Sequence, residues 1–261
     1  MQSGLIDGDL YFECDGAGRD LVLLHGGGLD STMWDAEFEA LSADCRVTRF
    51  DARMHGRSTA PHGDYRAYED LAAVLKEVGA ERPILVGLSL GGRTSIDFAL
   101  AYPDVPSALV LVSTGVSGME FVDPFTLECQ RAQGEAAARG DAEAFVEGML
   151  RAWVDGPHRA PGDIPSELRA RCAQMLRGLV RMYGESSGQM LELGAVDRLA
   201  ELRTPMLTVV GALDTTDIRR VSDQLASHGA EQVVVDGAAH MVNLDRPAEF
   251  MSALRGFLAK V

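Results

Sequence analysis

At 261 residues, 46% of them hydrophobic and only 6% aromatic, the chain has the size of one enzyme-like domain with a substantial core, and nothing forces a second independent domain. Its 39 acidic against 24 basic side chains leave a formal charge of −15, which repels phosphate backbones and anionic bilayer surfaces, so neither nucleic acid nor a membrane is an expected partner. No apolar run approaches the roughly 18 residues needed to cross a bilayer, and Met1-Gln2-Ser3-Gly4-Leu5-Ile6-Asp7 lacks the basic start and apolar stretch of a secretory signal, which makes a cytoplasmic location the default expectation. Cys14, Cys45, Cys129 and Cys172 are widely spaced with no Cys-x-x-Cys pair, so four free thiols are expected rather than a zinc site or a disulfide framework.

The first half alternates strand and helix patterns, which predicts a parallel sheet with crossover helices. Leu10 to Cys14 reads as an early strand, and Leu21 to Leu24 as a buried one that ends in the loop His25-Gly26-Gly27-Gly28. Cys45 to Phe50 follows, giving way to Asp51 and a turn through Ser58. Tyr68, Leu71, Ala72, Leu75 and Val78 recur at helical spacing, so a helix is predicted from about Tyr65 to Val78. A strand from Ile84 comes next, then a helix carrying Ile96, Phe98 and Leu100 that stops before Pro103, and a further strand from Ala108 to Val112.

From about Ser117 to Leu202 the alternation gives way to helix-like stretches rich in alanine, glutamate, arginine and methionine, which reads as an inserted helical cap. The predicted organisation is a core formed by residues 1–116 and 203–261, with residues 117–202 as the cap. Phe145, Met149, Leu150 and Trp153 share one face, and Leu168, Cys172, Met175, Leu176 and Leu179 another. Most of these side chains need only pack the cap onto the core. Trp153, Met149, Met175 and Met182 are the candidates for lining a cavity beneath it, because large, adaptable side chains suit an apolar pocket. Strands return at Pro205–Gly211 and Gln232–Val235, and a last helix starts near Pro247 with Phe250, Leu254, Phe257 and Leu258 on its buried side.

The chemistry concentrates at Gly87-Leu88-Ser89-Leu90-Gly91. A serine on a tight turn between strand and helix takes a strained backbone conformation that leaves no room for Cβ atoms two positions before and after it, and glycine stands at both. Such a turn lifts the hydroxyl above the sheet and aims the first free N–H groups of the helix at the reacting centre. A serine hydroxyl still needs a base, and the base an orienting carboxylate. Gly211-Ala212-Leu213-Asp214 puts a carboxylate beyond one later strand and Gly237-Ala238-Ala239-His240 an imidazole beyond the next. Ser89, Asp214 and His240 therefore all fall at the carboxyl ends of predicted parallel strands, the edge where open α/β sheets build their sites.

Other residues have weaker claims. Asp217 competes with Asp214 but suits the capping of a helix that begins near Ile218. His62, His158 and His228 lie in polar or turn-rich surroundings. His25 is placed to organise the glycine loop by hydrogen bonding, and His55 sits in the Asp51–Ser58 turn. No histidine pair has metal-ligand spacing, so no metal or other cofactor is expected.

These pieces together resemble the α/β-hydrolase superfamily over nearly the whole chain: the His25–Gly28 loop, the Asp51–Ser58 turn, the elbow at Ser89, Gly211 to Asp214, and Gly237 to His240. The resemblance implies a mostly parallel eight-stranded sheet flanked by helices, with backbone N–H groups of Gly27 and Leu90 as the oxyanion hole. Met54 departs from the pattern, standing where the superfamily turn commonly has glycine. Within the superfamily, Met33-Trp34-Asp35, the Asp51–Ser58 turn and the elbow are similar to 3-oxoadipate enol-lactonases and small carboxylesterases, and cofactor-free haloperoxidase-like esterases look similar too. The expectation is a serine hydrolase acting on a small-molecule ester or lactone, as a monomer or homodimer. Carbon–carbon bond hydrolysis, acyl transfer or haloperoxidase-like activity on the same triad, or a non-catalytic receptor role, are the alternatives, because such motifs fix a mechanism better than a substrate.

Overall fold

The computed structural model describes all 261 residues. In chain order the elements are β1 (Gln2–Ile6), β2 (Leu10–Asp15), β3 (Asp20–Leu24), α1 (Asp35–Ser42), β4 (Arg46–Phe50), α2 (Ala67–Val78), β5 (Ile84–Leu88), α3 (Leu90–Ala101), β6 (Ala108–Val112), α4 (Pro124–Ala138), α5 (Ala142–Leu150), α6 (Ser166–Met182), β7 (Met206–Gly211), α7 (Thr216–Ser227), β8 (Glu231–Val235), α8 (Val242–Asp245) and α9 (Pro247–Leu258). The eight strands form one sheet in the order β1-β2-β4-β3-β5-β6-β7-β8. From β4 onward every pairing is parallel, and β1–β2 and β2–β4 are antiparallel. This is the mostly parallel eight-stranded sheet expected.

The central strands are buried on both faces because helices cover both. Along β3, Leu21 and Leu23 join Trp34, Phe38 and Leu41 of the α1 side and Phe250, Leu254 and Phe257 of α9 in one cluster. Val22 and Leu24 point the other way, into a second cluster with Leu71 and Val74 of α2, Ile96 and Phe98 of α3, and Val221 and Leu225 of α7. Continuous apolar runs such as Ala108-Leu109-Val110-Leu111-Val112 are what a strand with two buried faces requires.

β1 was not among the strands read from the sequence. Its residues are mostly exposed, since it is an edge strand with one side in water, so it carries no apolar alternation. Its signal lay in the next two residues: Asp7 and Gly8 both adopt positive φ, the conformation a tight hairpin demands, and Asp-Gly is a strong hairpin dipeptide. The helix anticipated from Tyr65 begins instead at Ala67, because the Tyr65 backbone is engaged in a parallel bridge with Met190.

Between β6 and β7 the chain leaves the sheet and folds α4, α5 and α6 over its carboxyl edge. Both ends of this excursion are tied down close together. Ser117 Oγ donates to Asp97 of α3 at 2.5 Å and accepts from the N–H of Ala195 at 2.8 Å, so α3 holds the outgoing and returning strands at one point. Farther out, Asp123 accepts from the N–H of Thr216 at 3.1 Å, and Asp217 accepts from the N–H groups of Val122 at 2.9 Å and Asp123 at 2.8 Å. The four cysteines are free and buried. No helix is long and apolar enough to cross a membrane.

Candidate active site

Ser89 follows β5 directly and precedes α3, with φ 52° and ψ −108°. A non-glycine residue at positive φ is strained and persists only where its surroundings dictate it. Here they do. A Cβ on Gly87 would lie 2.4 Å from the Gly91 carbonyl, and one on Gly91 would lie 2.2 Å from the Leu24 carbonyl oxygen, so strand, turn and helix meet with no room for side chains. The Ser89 N–H donates to Val112 O at 2.9 Å, which fixes the turn to β6.

Asp214 and His240 lie beyond the ends of β7 and β8. Nδ1 of His240 is 3.0 Å from Asp214 Oδ2 and 3.2 Å from Oδ1, and both side chains are almost completely buried. The Thr215 N–H donates to Asp214 Oδ1 at 2.7 Å, orienting the carboxylate from its own side. Gly211 makes the approach of the two loops possible: a Cβ there would stand 2.2 Å from Ala239 O and 2.4 Å from Ala238 O. From the other side, Asp245 Oδ2 accepts from the Ala239 N–H at 2.8 Å and pairs with Arg159 at 3.0 Å, bracing the histidine loop against the insertion.

The glycine loop after β3 is positioned by two histidines. Nε2 of His25 accepts from the Ala52 N–H at 2.9 Å, and Nε2 of His55 accepts from the Gly28 N–H at 3.0 Å. A ring nitrogen that accepts cannot carry a proton, so both imidazoles serve as neutral braces between the loop and the Asp51–Ser58 turn. Burial, helped by the neighbouring His25, pushes the His55 imidazole down to about 3. Asp51 completes the turn by accepting from the N–H groups of Ser31 at 2.7 Å and Arg57 at 2.8 Å. Met54 takes φ 67°, a left-handed conformation in which glycine is ordinarily at ease.

Ser89, His240, Gly27 and Leu90 line one cavity of about 250 Å³, near the lower end of ligand-pocket sizes. A Cβ on Gly27 would be 3.8 Å from Leu90 Cβ, so these two backbone positions face each other beside the serine. Neither N–H has a protein partner, which leaves both free to meet a ligand oxygen. Trp153 and Met149 also line the cavity. The Trp153 ring lies 4.7 Å from the His240 ring, centroid to centroid, and 5.8 Å from Phe121. It is carried on a π-helical turn, Arg151–Asp155, that extends α5, an irregularity frequent at functional sites.

Met175 and Met182 do not line this cavity. Helix α5 and its π-turn bring Met149 and Trp153 to the cavity, whereas α6 meets the glycine loop through Leu176 beside Gly28 and supplies no residue to the cavity lining. Met175 packs with Cys172, Ala173 and Leu176 in the core cluster and faces a polar surface cleft beside Thr32 and Arg171, while Met182 sits half-buried at the far end of α6. The expected capping role of Asp217 is also corrected. Its helix begins at Thr216, with Thr215 at the cap position. The fully buried Asp217 carboxylate instead holds the Val122 and Asp123 backbone and pairs with Arg220 at 2.7 Å.

Cavity residues not anticipated include Arg93, Val116, Met119, Phe121, Glu192 and Ile218. Arg93 was findable, since one helical turn beyond Ser89 on α3 it must rise beside the serine. The stretch from Val116 to Phe121 follows the carboxyl end of β6, the same edge that supplied the other site residues. Glu192 lies in an irregular segment with no periodic pattern to place it.

A buried histidine–carboxylate pair at the carboxyl edge of a parallel sheet, opening on a cavity shared with a serine at a strained elbow, is the arrangement of a nucleophilic hydrolase. The chain belongs to the alpha/beta hydrolase family, whose model matches residues 21–253. It is 28% identical over 278 aligned residues to a pimeloyl-[acyl-carrier protein] methyl ester esterase of Vibrio vulnificus, covering 97% of this chain and 99% of that one. Among solved structures it is similar to a hydrolase from Pseudomonas aeruginosa, with TM-score 0.76, 28% identity and coverage of 95% of this chain and 94% of that one. An enol-lactonase from Burkholderia xenovorans superimposes with TM-score 0.77 at 23% identity, covering 99% and 100% of the two chains, a likeness of fold.

Proposed function

We propose that this protein is a serine hydrolase that cleaves a small carboxylic ester or lactone through an acyl-enzyme, with Ser89 as nucleophile, His240 as base and Asp214 as its orienting acid. The observation that carries this reading is the buried Asp214–His240 pair, 3.0 Å from oxygen to Nδ1, on the cavity that also holds Ser89. With Nδ1–H committed to Asp214, the Nε2 lone pair of His240 is the one available to take the serine proton. Ser89 Oγ then attacks the substrate carbonyl carbon, and the oxygen that gains charge is met by the N–H groups of Gly27 and Leu90. Collapse of this intermediate breaks the ester C–O bond, and His240 returns its proton to the departing alkoxide. A water molecule, deprotonated by His240 in turn, attacks the acyl-enzyme and releases the acid.

The imidazolium formed midway is buried, and two groups stabilise it: the Asp214 carboxylate and the neighbouring Trp153 ring, tilted 47° to the imidazole with centroids 4.7 Å apart, whose π-electrons attract a cation. Each oxyanion donor in such a site is worth about 3 kcal/mol of transition-state stabilisation. The cavity size favours a short substrate, and the esterase relative from Vibrio supports an ester as the bond attacked.

A fluorophosphonate probe tests the reading directly. The folded protein should be labelled on Ser89, as located by peptide mass mapping, and should turn over short-chain p-nitrophenyl esters. Folded protein that takes up no label at Ser89 and turns over no such ester would mean that the site is not a serine hydrolase.

A further inference from the structure

Apart from Ser89 and His240, the side chains that line the Ser89 cavity are apolar except at one place. Of its lining residues only Arg93 and Glu192 carry a permanent charge, and they face each other with Nη1 2.5 Å from Oε1. Arg93 stands on α3 one turn beyond the serine, and its backbone N–H donates to Ser89 O at 2.9 Å. Both side chains remain partly accessible, at 25% for Arg93 and 38% for Glu192.

A pair of this kind could be no more than a clamp holding the segment around Glu192 in place. That segment is already held without it. Tyr65 N donates to Gln189 O at 3.0 Å, Leu191 N donates to Tyr65 O at 2.7 Å, and the Gln189 N–H donates to Asp64 Oδ1 at 3.0 Å. A partly exposed ion pair adds little to stability. Its chemical distinction is unused hydrogen-bonding capacity. A guanidinium has five N–H donors, and Arg93 spends one on Glu192 and directs another only at the weakly accepting Met190 sulfur, 3.8 Å away. Glu192 Oε2 accepts from the Gly118 N–H at 2.8 Å, which fixes the carboxylate beside the cavity it lines while leaving lone pairs unused.

We propose that Arg93 and Glu192 form a specificity subsite that binds a neutral hydrogen-bonding group, a hydroxyl or an amide, on the substrate away from its scissile ester. The inference rests on the proposed ester-hydrolase reading of the same cavity. A group of this class accepts from Arg93 and donates to Glu192 at once, matching both members of the pair. A carboxylate matches only one. It would meet the Glu192 charge at close range and the field of a protein with formal charge −15, whereas a purely apolar tail would strip water from both charges without replacing it.

The test uses p-nitrophenyl and simple alkyl esters in matched sets of equal chain length whose distal end is methyl, hydroxymethyl, primary amide or carboxylate, with the variable end on the acyl side in one set and on the alcohol side in the other. For the wild-type protein, kcat/KM should be higher by about tenfold for the hydroxyl or amide member than for the methyl member in at least one set, and the carboxylate should be the poorest. In Arg93→Met and in Glu192→Gln that ratio should fall toward one, whatever either variant does to the plain ester. Wild-type ratios near one in both sets, a preference for the carboxylate, or a preference that survives Arg93→Met would each overturn the subsite while leaving ester hydrolysis standing. Absence of turnover across every set would instead strike the hydrolase reading itself, which fluorophosphonate labelling reads separately.

Discussion

The carboxyl edge of the sheet and the insertion folded over it are held in place by opposite means. At the edge, backbone meets backbone: Gly87, Gly91 and Gly211 would each drive a Cβ to within 2.4 Å of a neighbouring main chain, and Ser89 is pressed into a positive φ by the same crowding. The insertion is moored by carboxylates. Asp97 holds its root through Ser117, Asp123 accepts from the Thr216 N–H while Asp217 accepts from the Asp123 N–H, and inside the insertion the fully buried Asp155 pairs with Arg169 at 3.0 Å. Steric exclusion defines positions that cannot relax, whereas a few buried charges define moorings that can be cut one at a time. The reacting groups should therefore tolerate loss of their chemistry without loss of fold, and the moorings the reverse.

The sharpest form of that contrast sets Ser89 and His240 against Asp217. Ser89→Ala and His240→Ala should each lower kcat/KM on a short p-nitrophenyl ester by several powers of ten with urea midpoints near that of the wild type. Asp217→Ala should destabilise the protein by roughly 3 kcal/mol, because two N–H groups and the Arg220 guanidinium lose a buried acceptor, while kcat/KM of the folded fraction falls only modestly. If Asp217→Ala matched His240→Ala in lost turnover at unchanged stability, the division between edge and mooring would be misplaced, and so would the choice of Asp214 as the acid.

The glycine loop adds a pH dependence to the edge. The folded-state value of His55, about 3, lies below its ordinary 6.5, so between those values the unfolded chain binds a proton that the folded one refuses. Stability from this residue is complete above about pH 6.5 and is lost as pH falls toward 3, by about 2–3 kcal/mol at pH 4.5. His55→Gln leaves an oxygen that can accept the Gly28 N–H and does not titrate. Its urea midpoint should fall less steeply than the wild type's between pH 7 and 4.5. Equal slopes would show that His55 is not what makes the loop acid-sensitive.

Within the insertion, the cavity wall can be told from its outer layer by ligand affinity. Met149 lines the cavity and Met182 does not. Met149→Ala should raise KM for short acyl esters by up to about tenfold, the worth of a partly buried apolar side chain, and Met182→Ala should leave KM unchanged. An equal response from the two would mean that α6 reaches the substrate after all.

The uneven visibility of these regions in the sequence has the same physical origin. Steric exclusion writes itself locally: Gly87, Ser89 and Gly91 stand together because the turn they build is local, and Gly211 lies just ahead of Asp214 for the same reason. Apolar runs announced seven of the eight strands, the edge strand β8 among them through Val233, Val234 and Val235, and only β1, wet on one side and without such a run, escaped. Moorings act across the chain. Asp217 meets Val122 at a separation of 95 residues, so nothing near it distinguishes a mooring from a helix cap. The face of α6 that carries Met175 is apolar for the sake of α5, and periodicity cannot say whether an apolar face looks at another helix or at a ligand. Glu192 and Arg93 are 99 residues apart and only the fold brings them together.

Met54 tests the smallest consequence of edge crowding. Its side chain is half-buried, yet its backbone sits at φ 67°, a conformation costing a residue with a Cβ about 1–2 kcal/mol. If packing of the thioether decided its place, Met54→Val would be milder than Met54→Gly. The backbone argument reverses that order. Met54→Gly relieves the left-handed strain but adds unfolded-state entropy and removes some packing, terms of about the same size, so the net change should lie within about 0.5 kcal/mol of the wild type. Met54→Val puts a branched Cβ into the same conformation and should cost about 1–2 kcal/mol more. Urea midpoints of the two variants decide the order, and a valine variant more stable than the glycine variant would show that side-chain contacts, not backbone geometry, govern this turn.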